Sequence, residues 1–464
     1  MDFSALLQPD RGQPATTLHL LDKNSLDAWL KAQGEQVRSL LEAQGFRGEA
    51  KQVALLPSGG QAWFAALGVG DRDALGPWCL AKAAEALPAG NYRLVGSSPG
   101  AAAFGWVLAQ HSFARYRPAK VDNGARVLLT DEPARIGEVL ALVRATALVR
   151  DLVNTPTEHL GPAQLQEEVE RVGAACGAEV TTTSGDALLQ GFPMIHAVGR
   201  AAAPDRAPRL IELNWGNPAH PRLALIGKGV CFDTGGLDIK PAAGMRLMKK
   251  DMGGAAHALA LAQLVTERRL PVRLQLLIPA VENAISASAL RPGDVLRSRQ
   301  GLTVEIHNTD AEGRLILADA LTRAAEGEPA LILDFATLTG AARVALGPDL
   351  PATFANDDDL AGGLIAAGEG VGDPLWRLPL WSPYEDLLAS DVADIANAGD
   401  SSFAGAVTAA LFLQKFVPAD TPWAHLDTFA WRPAAQPGRP KGGEALGLRA
   451  AWQMLVERYG RSAG

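Results

Sequence analysis

Residues 223 to 254 read LALIGKGVCFDTGGLDIKPAAGMRLMKKDMGG. An apolar run stops at a glycine, a loop full of glycine and charge follows, and the alanine-rich stretch GGAAHALALAQLVTERR begins at its end. A short apolar run bounded by glycine reads as a buried strand, and the long alanine-rich stretch reads as a helix. Strand, loop and helix in that order build open α/β sheets, whose ligands bind beyond the carboxyl ends of the strands. Lys228 lies within two residues of such an end, and Asp233, Lys240 and Asp251 follow at intervals of five, seven and eleven residues.

Working outward, RLIELNW, VRLQLLIP, LTVEIHN, ALILDFATL and WAHLDTF are further strand candidates, separated by helical segments such as LILADALTRAAE. Apolar strands recurring between helices predict an α/β fold, with a large mixed, mostly parallel sheet flanked by helices over residues 154 to 464. Residues 1 to 125 alternate shorter apolar runs (LHLLD, QVALLP, AWFAALGVG, YRLVG) with LGPWCLAKAAEAL and AAAFGWVLAQHSFARY, which predicts a smaller α/β domain. Residues 126 to 153 read as a linking helix between the two.

A second charged cluster, NTDAEGRL at 308 to 315, follows LTVEIH as Lys228 follows LALIG. Read alone, Asn308 or Asp310 caps the next helix and Glu312 offsets its dipole. Joined to Asp233 and Asp251, however, Asp310 and Glu312 make four carboxylates converging on strand ends. Four like charges in a site of low dielectric need cations among them. Such a set of oxygens suits two divalent ions ~3.5 to 4 Å apart, which activate a water and polarise a carbonyl or phosphoryl group. A lysine in that place ligates only as the neutral amine, and nearby dications lower its pKa in the required direction.

Other chemistries fit less well. GSSPG at 96 to 100 satisfies the serine-hydrolase elbow, but Pro99 removes the backbone N–H that the oxyanion needs, so Ser98 reads as a turn residue. NTDAEG resembles a calcium loop only in part, since Asp319 stands where the bidentate Glu belongs and the preceding segment is a strand. GKGVCF lacks the third glycine of a dinucleotide loop, and the eight histidines show no ligand spacing. A net charge of −8 gives no general attraction to nucleic acid or anionic membranes. Three scattered cysteines form no disulfide framework, the first residues lack a secretory pattern, and no apolar run approaches a membrane span. A cytoplasmic protein is expected.

With NTDAEGRL, GKG, FDTGG, IKP and KKDMGG at these spacings, the carboxy-terminal two thirds of the chain resembles the leucyl aminopeptidase family of dinuclear metallopeptidases. RDLVNTP, LRPGDV, ATLTGA and SDVADIANAG add to the match. The resemblance implies that Asp233, Asp310 and Glu312 hold a more exchangeable metal. It places Lys228, Asp233, Asp251 and Glu312 on a tighter one. Zn and Mn are the expected ions, with Mg or Co as alternatives. Lys240 would stabilise the oxyanion, and Arg314, helped by backbone near Leu338, would anchor a bicarbonate that accepts a proton. Met248, Thr337 and Gly340 match positions around the first side chain of the substrate. The activity implied is removal of an apolar N-terminal residue from short peptides with a free amino terminus, through a hydroxide bridging the metals. A homohexamer without membrane association is implied as well. A DNA-binding or non-catalytic relative is the alternative, and a serine esterase at Ser98 a distant one. Residues 1 to 125 match the family weakly, and TFAWRPAAQPGRPKGGEALG departs from its usual glycine-rich pocket wall.

Overall fold

The computed structural model describes residues 2 to 59, 62 to 117 and 124 to 460. The chain divides into two compact units, Met1–Ala147 with Ala434–Lys441, and Leu148–Pro433 with Gly442–Gly464.

The first unit carries a six-stranded sheet, formed by Leu7–Pro9, Arg126–Thr130, Gly90–Leu94, Thr16–Leu21, Ala62–Gly68 and Val53–Gly59 in that order. Residues 126 to 130 therefore pair as a strand, although they fall in the stretch read as a linking helix. The helix itself runs Ile136–Asn154. AAAFGWVLAQHSFARY, an alanine-rich and helix-like stretch in the sequence, is helical only over Ala102–Leu108. Just beyond it, the Gln110 side chain bonds both the carbonyl and the N–H of Arg126, at 2.9 and 3.0 Å, tying the chain to the adjoining strand. Ser98 Oγ donates to Asp131 at 2.7 Å, and no histidine bonds it among the described residues, so the esterase arrangement is not formed.

In the second unit, four parallel strands lie side by side: Trp423–Asp427, Leu331–Ala336, Arg222–Gly227 and Arg273–Asn283. Antiparallel Ala352–Ala355 extends one side of the sheet, while Arg209–Trp215 and Glu179–Ser184 extend the other. Gly229–Asp233 also pairs in parallel with the end of Arg273–Asn283, a strand that the glycines around Lys228 hid from view.

Alternation along each strand sends Ala224, Ile226, Ile332 and Ala336 into one core with Leu315, Ile316 and Leu317 of helix Glu312–Ala325. Leu223, Leu225, Leu331 and Leu333 on the alternate face are equally buried, as a sheet covered on both sides requires. Helix Gly253–Glu267 packs on the same strands so closely that a Cβ on Gly254 would meet the Phe335 carbonyl oxygen at 2.1 Å. That contact fixes the helix start against the strand ends. No helix among the described residues is long and apolar enough to cross a membrane.

Candidate active site

Because the four central strands run the same way, Gly227, Ala336, Asn283 and Asp427 all end at one edge, and the segments after them form a cavity of about 460 Å³. Lys228, Asp233, Lys240, Asp251, Asp310 and Arg314 line it, as do Met248, Thr337, Leu338 and Gly340. Glu312 lies against this group at the first turn of its helix and is 1% exposed.

Lys228 leaves strand Arg222–Gly227 with its N–H bonded to the Phe335 carbonyl at 3.0 Å, which aims the side chain between two acids. Its Nζ is 2.7 Å from Asp251 Oδ2, 2.9 Å from Glu312 Oε1 and 3.3 Å from the Thr337 carbonyl. Gly313 makes room for that stem, since a Cβ there would fall 2.7 Å from Lys228 Cε. Burial alone would lower the lysine's pKa, but Asp251, Glu312 and Asp233 overcome it and raise the pKa. Lys240 pairs with Asp233 at 2.8 Å and also with Asp310. Its pKa is raised too, burial again being outweighed by Asp233 and Glu312.

Asp233, Asp310 and Glu312 bring one carboxylate oxygen each within 4.8 Å of one another. Burial and then the Asp233 charge push Asp310 up to about 6 and push Glu312 upward more strongly. Neither Glu312 oxygen accepts a hydrogen bond of ordinary geometry, and the same holds for Asp251 Oδ2 and Asp310 Oδ1. Buried carboxylate oxygens that are not hydrogen-bonded are costly unless a cation meets them. Two loops hold these acids in place. Thr309 Oγ1 donates to the Gly235 carbonyl at 2.6 Å, and its N–H donates to Asp238 at 2.8 Å, joining FDTGG to NTDAEG.

The capping reading of NTDAEGRL fails. No side chain caps helix Glu312–Ala325. Asn308 Oδ1 instead accepts the Asp310 N–H at 2.8 Å, while the Asp310 carboxylate turns to Lys240. Arg314 is buried, and its Nη1 donates to the Asn397 carbonyl at 2.7 Å, but Nε has no acceptor. At Leu338, the residue near which backbone help was expected, the N–H donates to Asp427 Oδ1 at 2.9 Å. Thr337 likewise turns its hydroxyl to Asp251 Oδ1, at 2.7 Å, and so orients the acid.

Several contributors escaped the sequence reading. Asn283 Nδ2 donates to Asp233 Oδ1 at 2.9 Å and to the Thr309 carbonyl at 3.1 Å. Asn397 Oδ1 accepts the N–H groups of His307 and Asn308 and its backbone carbonyl accepts from Arg314, so one residue steadies both the acidic loop and Arg314. Asp427 and Lys250 line the cavity as well. Neither asparagine belongs to a charge pattern; Asp427 carried the same strand-end signal as Asn308. His257, by contrast, is a packing residue. Its Nδ1 bonds the Gly253 carbonyl at 2.7 Å and its Nε2 accepts the Leu446 N–H at 3.0 Å, and burial lowers its pKa to about 4.

Comparison with known proteins agrees over nearly the whole chain. The cytosol aminopeptidase family, catalytic domain, matches residues 147–451, and the M17 aminopeptidase N-terminal domain matches 16–130. A probable cytosol aminopeptidase of Syntrophotalea carbinolica is 43% identical over 370 residues, 76% of this chain and 74% of that one. The crystal structure of a cytosol aminopeptidase from Coxiella burnetii is 44% identical, with a TM-score of 0.92 over 98% of this chain and 99% of that one. The bottromycin maturation enzyme BotP, solved in complex with Mn, is 34% identical, with a TM-score of 0.85 over 96% and 99%.

Proposed function

Since this chain belongs to the cytosol aminopeptidase family and is therefore an aminopeptidase, a hydrolase of peptide bonds, we propose that its hydrolysis is metal-dependent and proceeds in the cavity at the strand ends. The observation that carries this is the convergence of one carboxylate oxygen each of Asp233, Asp310 and Glu312 within 4.8 Å, with Asp251 joined to Glu312 through Lys228, so that two lysines face four carboxylates. Asp233, Asp310 and Glu312 would hold one divalent ion, and Lys228, Asp233, Asp251 and Glu312 a second. Oxygen donors with one amine suit Mn or Zn, and admit Mg or Co. Such ions supply Lewis acidity, lowering the pKa of water and polarising a carbonyl.

The chain's own residues do the rest. Lys240, held at the mouth of the acidic group 2.8 Å from Asp233, donates to the carbonyl oxygen as negative charge develops there. Arg314 keeps an uncommitted donor at the cavity wall and would hold a bicarbonate there, a group that would supply a general base. Asp233 and Asp310, with the ion they would hold, mark where the free α-amine of the peptide would bind as the neutral amine. Thr337 and Asn283 hold Asp251 and Asp233 in their orientations. Met248, Gly340 and Ala342 give apolar surface to the stem of the first side chain.

With added Mn or Zn, dipeptides and amino-acid anilides bearing a free amino terminus should be cleaved at least ~30-fold faster than N-acetylated ones, the difference expected from one charged contact. Chelator should remove that activity, and the returned metal should restore it. Equal cleavage of blocked substrates would defeat the exopeptidase reading. Assembly into a cytoplasmic homohexamer is part of the proposal. Sedimentation of the metal-loaded protein should then give a mass near six chains, and a monomer would remove that element.

A further inference from the structure

We infer that the pocket for the first side chain selects an acidic residue, Asp or Glu, with Lys250 and Arg343 as the groups that read its carboxylate. This rests on the aminopeptidase reading of the cavity and replaces the apolar preference implied by the family resemblance. Lys250 follows Met248 in the short turn Met248–Lys250 and lines the cavity with its side chain only 6% exposed. A buried ammonium needs an acceptor, yet Lys250 Nζ makes no hydrogen bond among the described residues. Its nearest acid, Asp251, stands 3.9 Å away and is already engaged by Lys228 and Thr337. Asp427, the other acid beside it, is spent on the N–H groups of Leu338 and Thr339 and on the Thr339 hydroxyl. The neighbouring Lys249, in contrast, gives its ammonium to the Asn154 carbonyl at 2.6 Å.

What Lys250 does face is the ring of Phe429, 5.0 Å from its Nζ. The guanidinium of Arg343 lies 4.9 Å from the same ring. Arg343 has neither a hydrogen bond from its guanidinium nor an ion pair among the described residues, and it lines the same cavity as Met248, Thr337 and Gly340. An aromatic face compensates a buried cation only in part. Two cations against one ring, one with only a distant ion pair to Asp251 and the other with none among the described residues, form a receptor for a carboxylate whose aliphatic stem packs on Met248 and Phe429. A leucine there would leave the buried ammonium unpaired, and an N-terminal lysine would add a third positive charge.

The test is kcat/KM of the metal-loaded protein on Glu, Asp, Leu and Lys α-anilides. Wild type should favour Glu or Asp over Leu by at least ~10-fold and hardly touch Lys, the size of one charge-assisted hydrogen bond. Lys250→Met should reduce the Glu-to-Leu ratio by about 10- to 100-fold, and Lys250→Arg should keep most of it. Arg343→Met, at an exposed position that cannot upset the core, should reduce the ratio by about 3- to 10-fold. A preference for Leu in wild type, or a ratio that neither Met variant moves, overturns the inference while leaving the aminopeptidase intact. Failure to cleave any of the four with any metal overturns both.

Discussion

Replacing Glu312 by Gln should make the chelated protein more stable and the metal-loaded protein nearly inactive. The side chain is 1% exposed, and its nearest cation is Lys228 at 2.9 Å, an ammonium that Asp251 already holds at 2.7 Å. Burial and the Asp233 charge raise its pKa, so without metal the ionised form is a net cost. Gln keeps the shape and removes the charge, which should stabilise the chelated protein by roughly 1 to 3 kcal/mol and raise its melting temperature by a few degrees. With metal the same change deletes an anionic oxygen donor proposed to serve both ions. Loss of several kcal/mol of transition-state stabilisation lowers kcat/KM by about 1000-fold or more. Thermal melts in chelator and rates in saturating Mn read the two halves separately. A variant that melts lower in chelator yet turns over within ~10-fold of wild type would make Glu312 a structural partner of Lys228.

Glu312 was legible in the sequence because charge gathered at the ends of apolar strands has few ordinary explanations, and four carboxylates at such ends have fewer. The strands themselves were readable for the same reason: RLALIG and ALILDFATL are buried on both faces and carry continuous apolar runs. Strand Glu179–Ser184 was missed because EVTTTS pairs on one side only and keeps its polar side chains. Gly229–Asp233 was missed because its glycine and its terminal acid serve the site rather than the sheet. Asn283 and Asn397 act through one amide each, and a single neutral amide leaves no pattern that distinguishes it from a turn residue. Lys250 was hidden beside Lys249, since two adjacent lysines on a loop look alike until one finds a carbonyl and the other a cavity. Ala434–Lys441 groups with the first unit, and a Pro-rich and Gly-rich composition announces a loop without saying where it packs.

The largest effect on stability is expected from a pair outside the acidic cluster, Arg150 and Glu444. Helix Ile136–Asn154 and the segment after Gly442–Gly443 meet through a bidentate bond, Arg150 Nε to Glu444 Oε1 and Nη2 to Oε2, each 3.0 Å. The side chains are 1% and 2% exposed, and the residues are 294 apart in sequence. Glu444 Oε1 also accepts the Ala445 N–H at 3.1 Å, which fixes the turn it sits on. A buried pair contributes little net stability when intact, because desolvation offsets the attraction. Removing one partner is different, since the other charge stays buried without its counterpart. Glu444→Ala should therefore cost about 3 to 5 kcal/mol, enough to lower a urea midpoint by more than 1 M at typical slopes. Arg150→Met should be milder, because Arg449 remains near Glu444 as a second positive charge. The double change, Arg150→Met with Glu444→Leu, fills the site with apolar volume and should recover most of the loss. Urea midpoints of the three variants decide it. If the double variant is as unstable as Glu444→Ala, the loss comes from the turn at Ala445 and not from the stranded guanidinium.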